Sequence, residues 1–163
     1  MGFDTYYKLE KILKKRGPSS FGKICQYLLE LCFRELGFST RGRAVERPDI
    51  IAERCDNKYA IECKYQQGND LDLTQRDIDG VLDFKSSNFT PVIAFLWMDI
   101  NANWMFVYAD KLKVKKYKKI ELKIYEINKL SDEINSKFPK VLDDNFELAI
   151  NRGAEGIRSK IIL

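Results

Sequence analysis

An aspartate, a glutamate and a lysine fall on two short segments that read as the arms of one hairpin. Asp49 opens the run Asp49-Ile50-Ile51-Ala52, and Glu62-Cys63-Lys64 sits within the alternating run from Tyr59 to Tyr65. Between them, Cys55-Asp56-Asn57-Lys58 is turn chemistry. With Asp56-Asn57 as the two-residue loop, Asp49 lies opposite Lys64 and diagonal to Glu62. The period of two then puts all three on one face, within roughly 5 to 8 Å, and turns Ile61, Cys63 and Tyr65 to the other. Two carboxylates are hard oxygen ligands for Mg²⁺ that leave positions open for water and a phosphate oxygen. Lys64 would orient or activate that water, or offset charge on a pentavalent phosphate. The chemistry this pattern suits is metal-dependent phosphodiester hydrolysis. The competing reading is a solvated hairpin face with an Asp49–Lys64 pair worth at most about 1 kcal/mol. A Glu-x-Lys triplet alone carries little, since Glu121-Leu122-Lys123 is another.

The surrounding elements must position these groups. Residues 6–15 have helical spacing, Gly17-Pro18-Ser19-Ser20 breaks it, and residues 21–36 form a second helix ended by Gly37. Its apolar stripe of Phe21, Ile24, Cys25, Leu28, Leu31 and Cys32, widened by Leu29 and Phe33, leaves only Lys23, Tyr27, Glu30 and Arg34 on a polar side. Gln26 lies at the edge of that stripe, where it could reach a site or remain at the surface. Residues 38–45 suit a first strand, 66–72 a polar loop, and Thr74 with Asp77 a capping box opening a helix to residue 85. Gln75 and Arg76 fall in that helix's first turn. Residues 91–98 and 104–108 read as paired strands around a turn at 99–103. Beyond residue 111 the expectation is an edge strand over 119–127, a helix over 132–142 and a mixed tail over 146–163.

The chain has 163 residues, 45% of them hydrophobic, enough for one core. A single nuclease domain over 1–163 is expected, with its core at 17–112, an N-terminal helical segment at 1–16 and an extension at 113–163. No apolar run is long enough to span a membrane, and no signal peptide is visible, so a soluble, cytoplasmic protein is expected. The absence of histidine excludes Ser-His-Asp, Cys-His and His–metal chemistries. Cys25, Cys32, Cys55 and Cys63 lack zinc-site spacing. The net charge of +4 is compatible with a polyanionic partner. Lysines crowd residues 111–123, where a solvated face is the plainer reading, whereas Arg41, Arg43 and Arg47 lead directly into the hairpin and suit phosphate contact.

Taken in order, these residues resemble the PD-(D/E)XK nuclease superfamily, with a mixed α/β, restriction-endonuclease-like αβββαβ core. Within it, the chain is most similar to archaeal Holliday-junction resolvases and Mrr-type restriction nucleases. The resemblance covers residues 17–112. It is carried by the helix ending in Gly37-Phe38, Arg41 and Arg43, Asp49-Ile50-Ile51-Ala52, Ile61-Glu62-Cys63-Lys64, Gln75-Arg76-Asp77-Ile78 and Thr90-Pro91-Val92-Ile93-Ala94. It implies that Asp49 and Glu62 bind Mg²⁺, with Mn²⁺ as a substitute, and that Lys64 assists the attacking water. Products would carry 5′-phosphate and 3′-hydroxyl ends. It further implies a homodimer acting on branched or duplex DNA, with Arg76 joining the three arginines above in DNA contact. Gln26 stands where the family has a helix glutamate, so that role falls to Gln26, to Glu30 or to a water. A serine-containing loop typical of the resolvases is absent from Arg43-Ala44-Val45-Glu46-Arg47. On the resemblance as a whole, junction cleavage is the first expectation, restriction- or homing-type duplex cleavage the second, and a non-catalytic nucleic-acid-binding module the third.

Overall fold

The central hairpin forms, but two residues out of the expected register. In the computed structural model, which describes residues 2–42 and 48–162, β2 (Ile50–Arg54) and β3 (Asn57–Gln66) are antiparallel. They follow β1 (Ser39–Gly42), which pairs with β2. Arg54 pairs with Asn57 and Ile50 with Ile61, so the loop is Cys55-Asp56 and the continuation of the register sets Asp49 against Glu62, not Lys64. The cause is local: Cys55 takes a left-handed φ of 54°, which reverses the chain one residue sooner than an Asp56-Asn57 loop would. Each partner moves by two positions, so every side chain keeps its face.

The strands β5 (Thr90–Trp97) and β6 (Trp104–Tyr108) complete a mixed sheet of order β1-β2-β3-β5-β6. β3 and β5 are parallel and the other neighbours antiparallel. A parallel pair requires a crossover, and α3 (Gln75–Leu82) provides it. Thr74 and Asp77 make the anticipated capping box there, with Ile78 and Val81 buried.

Alternation along β3 sorts the two layers. Ile61, Cys63, Tyr59 and Tyr65 join the apolar core shared by α1 (Gly2–Arg16), α2 (Pro18–Glu35) and α5 (Asn128–Ile161). The opposite core joins Ile93, Phe95, Trp97 and Val107 to Ile78 and Val81 of α3. Glu62 and Lys64 point toward this second layer. Arg54, at the hairpin's far end, donates to the Leu36 carbonyl at 2.8 Å and pairs with Glu133 of α5 at 2.9 Å, tying the hairpin to the helical layer.

Several sequence expectations are corrected. α2 begins at Pro18, not Phe21: proline's fixed φ suits the first helical turn, and no serine caps the end. Tyr27 and Glu30, expected on the polar side of α2, are buried, because α2 packs against both α5 and the sheet. The expected loop over 66–72 contains β4 (Asp70–Leu73), which pairs with β7 (Lys115–Lys118) in a separate two-stranded ribbon. Residues 119–127 are not a strand. Glu121 accepts from the Lys118 amide at 2.6 Å and starts α4 (Lys119–Leu122). The expected short helix and mixed tail are the single element α5, which contains Pro139 and kinks at Gly153. Arg16 of α1 donates from Nε and Nη2 to the Ile150 carbonyl at 3.1 and 2.6 Å, satisfying an acceptor that the kink frees. Of the first expected strand, 39–42 is formed and 43–47 lies outside the described residues.

Candidate active site

The site begins where β2 stops short. Its pairing with β3 starts at Ile50–Ile61, whereas β3 runs on to Gln66, leaving one edge of residues 62–66 without a strand partner among the described residues. Asp49 fills the first part of that gap. Its Oδ2 accepts the Cys63 backbone amide at 2.9 Å, in place of a strand carbonyl. This fixes a carboxylate directly beside the position of Glu62, which is 5% exposed. Directly opposed positions on paired strands hold their Cβ atoms about 5 Å apart.

α2 closes the gap from the helical layer. Gln26 is only 3% exposed, so it is not a surface glutamine. Its Nε2 donates to the Asp49 main-chain oxygen at 3.2 Å, and its Oε1 accepts from Lys23 at 3.4 Å. A cleft of about 370 Å³ opens here, lined by Pro18, Gly22, Gln26, Asp49, Cys63 and Lys64 among others. Glu30, one helical turn along, is committed elsewhere: its Oε1 accepts from the Thr40 hydroxyl at 2.9 Å and lies 3.8 Å from Arg34. Burial, followed by the negative charges of Asp49 and Glu62, pushes the Cys63 thiol well above its ordinary range. Cys63 is thus a neutral packing group within an acidic site.

The α3 layer holds the lysine. Lys64 Nζ donates to Asp77 Oδ2 at 2.6 Å. The same oxygen accepts the Thr74 amide at 2.9 Å and the Thr74 hydroxyl at 2.7 Å. Burial raises the Asp77 carboxyl, but the bonds from Lys64 and Thr74 outweigh it and hold the group below the usual carboxylate range. From the sequence, Asp77 is legible only as a helix cap. The available signal was geometric, because Lys64 faces the layer into which α3 must pack.

Of the arginines assigned to DNA, Arg41 is exposed on β1 and Arg76 is exposed in the first turn of α3. Arg43 and Arg47 lie outside the described residues. The exposed Lys116 and Lys118 of β7 face Asp72 and Asp70 across the ribbon, which offsets their charge.

Asp49 and Glu62 suit a divalent cation by chemistry: both are hard oxygen donors, and Mg²⁺ is ordinarily held by one or two carboxylates with water completing its shell. Among the described residues no group of three or more Asp, Glu, Cys or His side chains could hold a metal, so the cluster stops at this pair.

A mixed sheet between helices, with a carboxylate pair at a strand break and a lysine two residues on, defines the PD-(D/E)XK class of nucleases. The solved structure of Archaeoglobus fulgidus Hjc, a Holliday junction resolvase from an archaeal hyperthermophile, shares this fold. It matches with a TM-score of 0.53 at 21% identity, covering 64% of this chain and 89% of its own. The family model for archaeal Holliday junction resolvases (Hjc) matches residues 13–141, and the chain belongs to this family. It is therefore a structure-selective, DNA-binding endonuclease of a family whose chemistry uses a divalent metal. No curated protein matches the chain. Among the described residues, no helix is long and apolar enough to cross a membrane.

Proposed function

We propose that the chain cuts four-way DNA junctions in a Mg²⁺-dependent reaction, with Asp49 and Glu62 as the ion's protein ligands and Lys64 beside the attacked phosphate. The observation that carries this reading is the placement of Asp49 opposite Glu62 at the point where β2 leaves β3. Within a strand, a residue's N–H and C=O leave on the same side, so the Cys63 carbonyl opens onto the same gap as its amide and adds a third hard oxygen. Mn²⁺, also an oxygen-seeking ion, would substitute.

A bound divalent ion supplies charge neutralisation at the phosphate and a more acidic water. The chain's own groups supply position. Gln26 braces the backbone of Asp49, and the Cys63 amide fixes its carboxylate. Lys64 presents an ammonium that would orient the attacking water or offset charge on the phosphorane. As water adds to phosphorus, the bond to the 3′ oxygen breaks and that oxygen takes a proton, leaving 5′-phosphate and 3′-hydroxyl ends. Arg41 and Arg76, with Arg43 and Arg47, would grip flanking phosphates. Residues 1–163 would act as one domain, consistent with the packing of α1 and α5 against α2. A homodimer would present two such sites to the two strands of a symmetric junction.

The test is a panel of end-labelled DNAs, four-way, splayed and linear, incubated with the protein in Mg²⁺ and in Mn²⁺. Paired cuts confined to the four-way substrate, with 5′-phosphate ends, are expected. Equal cutting of linear duplex would replace this reading with restriction- or homing-type cleavage.

A further inference from the structure

We infer that Asp77 is a positioning residue for Lys64 in DNA cleavage, an assignment that rests on Lys64 acting at the attacked phosphate. Asp77 projects from α3, an element outside the hairpin that carries Asp49, Glu62 and Lys64. It is 6% exposed, and one of its oxygens receives three donors: the Lys64 ammonium at 2.6 Å, the Thr74 amide at 2.9 Å and the Thr74 hydroxyl at 2.7 Å. An acceptor tied to its own helix start cannot swing, so it fixes where the ammonium sits.

Helix capping alone does not call for this arrangement. A capping box needs an acceptor at the third helical position, and a neutral side chain such as glutamine fills that role. An ionised carboxylate there has a second use, as the countercharge that holds a flexible four-carbon chain in one rotamer. A lysine ammonium carries three N–H donors. Asp77 engages one, and the others stay available for a water and a phosphate oxygen. Lys64 is thereby anchored from the α3 layer while Asp49 is anchored by β3 and α2.

The experiment compares Asp77→Asn, Asp77→Glu, Lys64→Ala, the Lys64→Ala/Asp77→Asn double variant and Ile78→Val. Ile78→Val loosens the buried face of α3 without touching Lys64. Single-turnover cleavage of a four-way junction in Mg²⁺ is measured with junction affinity in EDTA and urea-induced unfolding. Asp77→Asn is expected to slow cleavage by about tenfold to a hundredfold with affinity unchanged within about twofold, since misplacing a reacting group acts on the chemical step. Asp77→Glu should recover part of that loss. In the Lys64→Ala background, Asp77→Asn should add nothing, and Ile78→Val should lower stability without lowering the rate per folded molecule. Asp77→Asn slowing cleavage equally with and without Lys64, or no more than Ile78→Val does, would overturn the inference. Undiminished cleavage by Lys64→Ala would instead overturn the role given to Lys64 itself.

Discussion

The side-chain Nε2 of Gln26 donates to the main-chain oxygen of Asp49 at 3.2 Å, so the helical layer holds Asp49 by its backbone and leaves the carboxylate to the Cys63 amide. A glutamate at this position could not make that bond. The amide supplies instead a neutral donor that fixes the backbone of Asp49.

Gln26→Glu therefore has opposite effects without and with metal. The new carboxylate meets the Asp49 carbonyl and shares the cleft with the Asp49 side chain, costing about 1 to 3 kcal/mol without metal. A divalent ion offsets the repulsion, and binding to the folded state raises stability in proportion to affinity. Thermal unfolding in EDTA should show the variant melting below the wild type, and added Mg²⁺ should raise its Tm by more than it raises the wild type's. An equal Mg²⁺-induced shift in both proteins would contradict this geometry.

Acid should weaken the fold through two aspartates. Burial raises Asp77, but Lys64 and Thr74 bring it below its ordinary value; burial likewise raises Asp99, but Lys119 and the Asn101 and Ala102 amides bring it below. A folded pKa below the unfolded one means that the unfolded chain takes up protons first as pH falls. The stabilisation is thus full above the ordinary aspartate pKa of about 3.9 and is lost as pH drops through the lower folded values. Urea unfolding of wild type and Asp99→Asn should differ at neutral pH and converge as pH falls through the lowered folded value. A gap that stays constant across that window would remove Asp99 from the account.

The bend in α5 depends on a conformation open to glycine. Gly153 has φ 63° and ψ −150°, and a Cβ there would lie 3.3 Å from the Arg16 guanidinium carbon. Gly153→Ala should cost about 1 to 3 kcal/mol of unfolding free energy, while the rate of junction cleavage per folded molecule stays the same. Unchanged stability would show that the kink is not required.

Alternation and turn residues made the hairpin readable, and parity kept Asp49, Glu62 and Lys64 on one face even though the register moved. The register itself was hidden, because the left-handed residue is Cys55 and not the asparagine or glycine that usually marks such a turn. The β4–β7 ribbon joins segments distant in sequence, and neither strand carries an isolated signal strong enough to predict it. The expected helix over 132–142 stops far short of α5, which runs on through the residues expected as a mixed tail because it packs against α1 and α2. Gln26 followed from its place on α2, but its burial depends on Asp49 arriving from another layer. The pairing of Asp77 with Lys64 required the fold.

The most direct test of the metal-site reading is Glu62→Gln, assayed for single-turnover cleavage of a four-way junction in Mg²⁺ alongside junction binding in EDTA. The variant keeps the shape of the side chain and removes one anionic oxygen donor. Cleavage should fall by at least about a hundredfold while junction affinity is retained. Cleavage within about twofold of wild type would contradict the assignment of Asp49 and Glu62 as the pair that holds the ion.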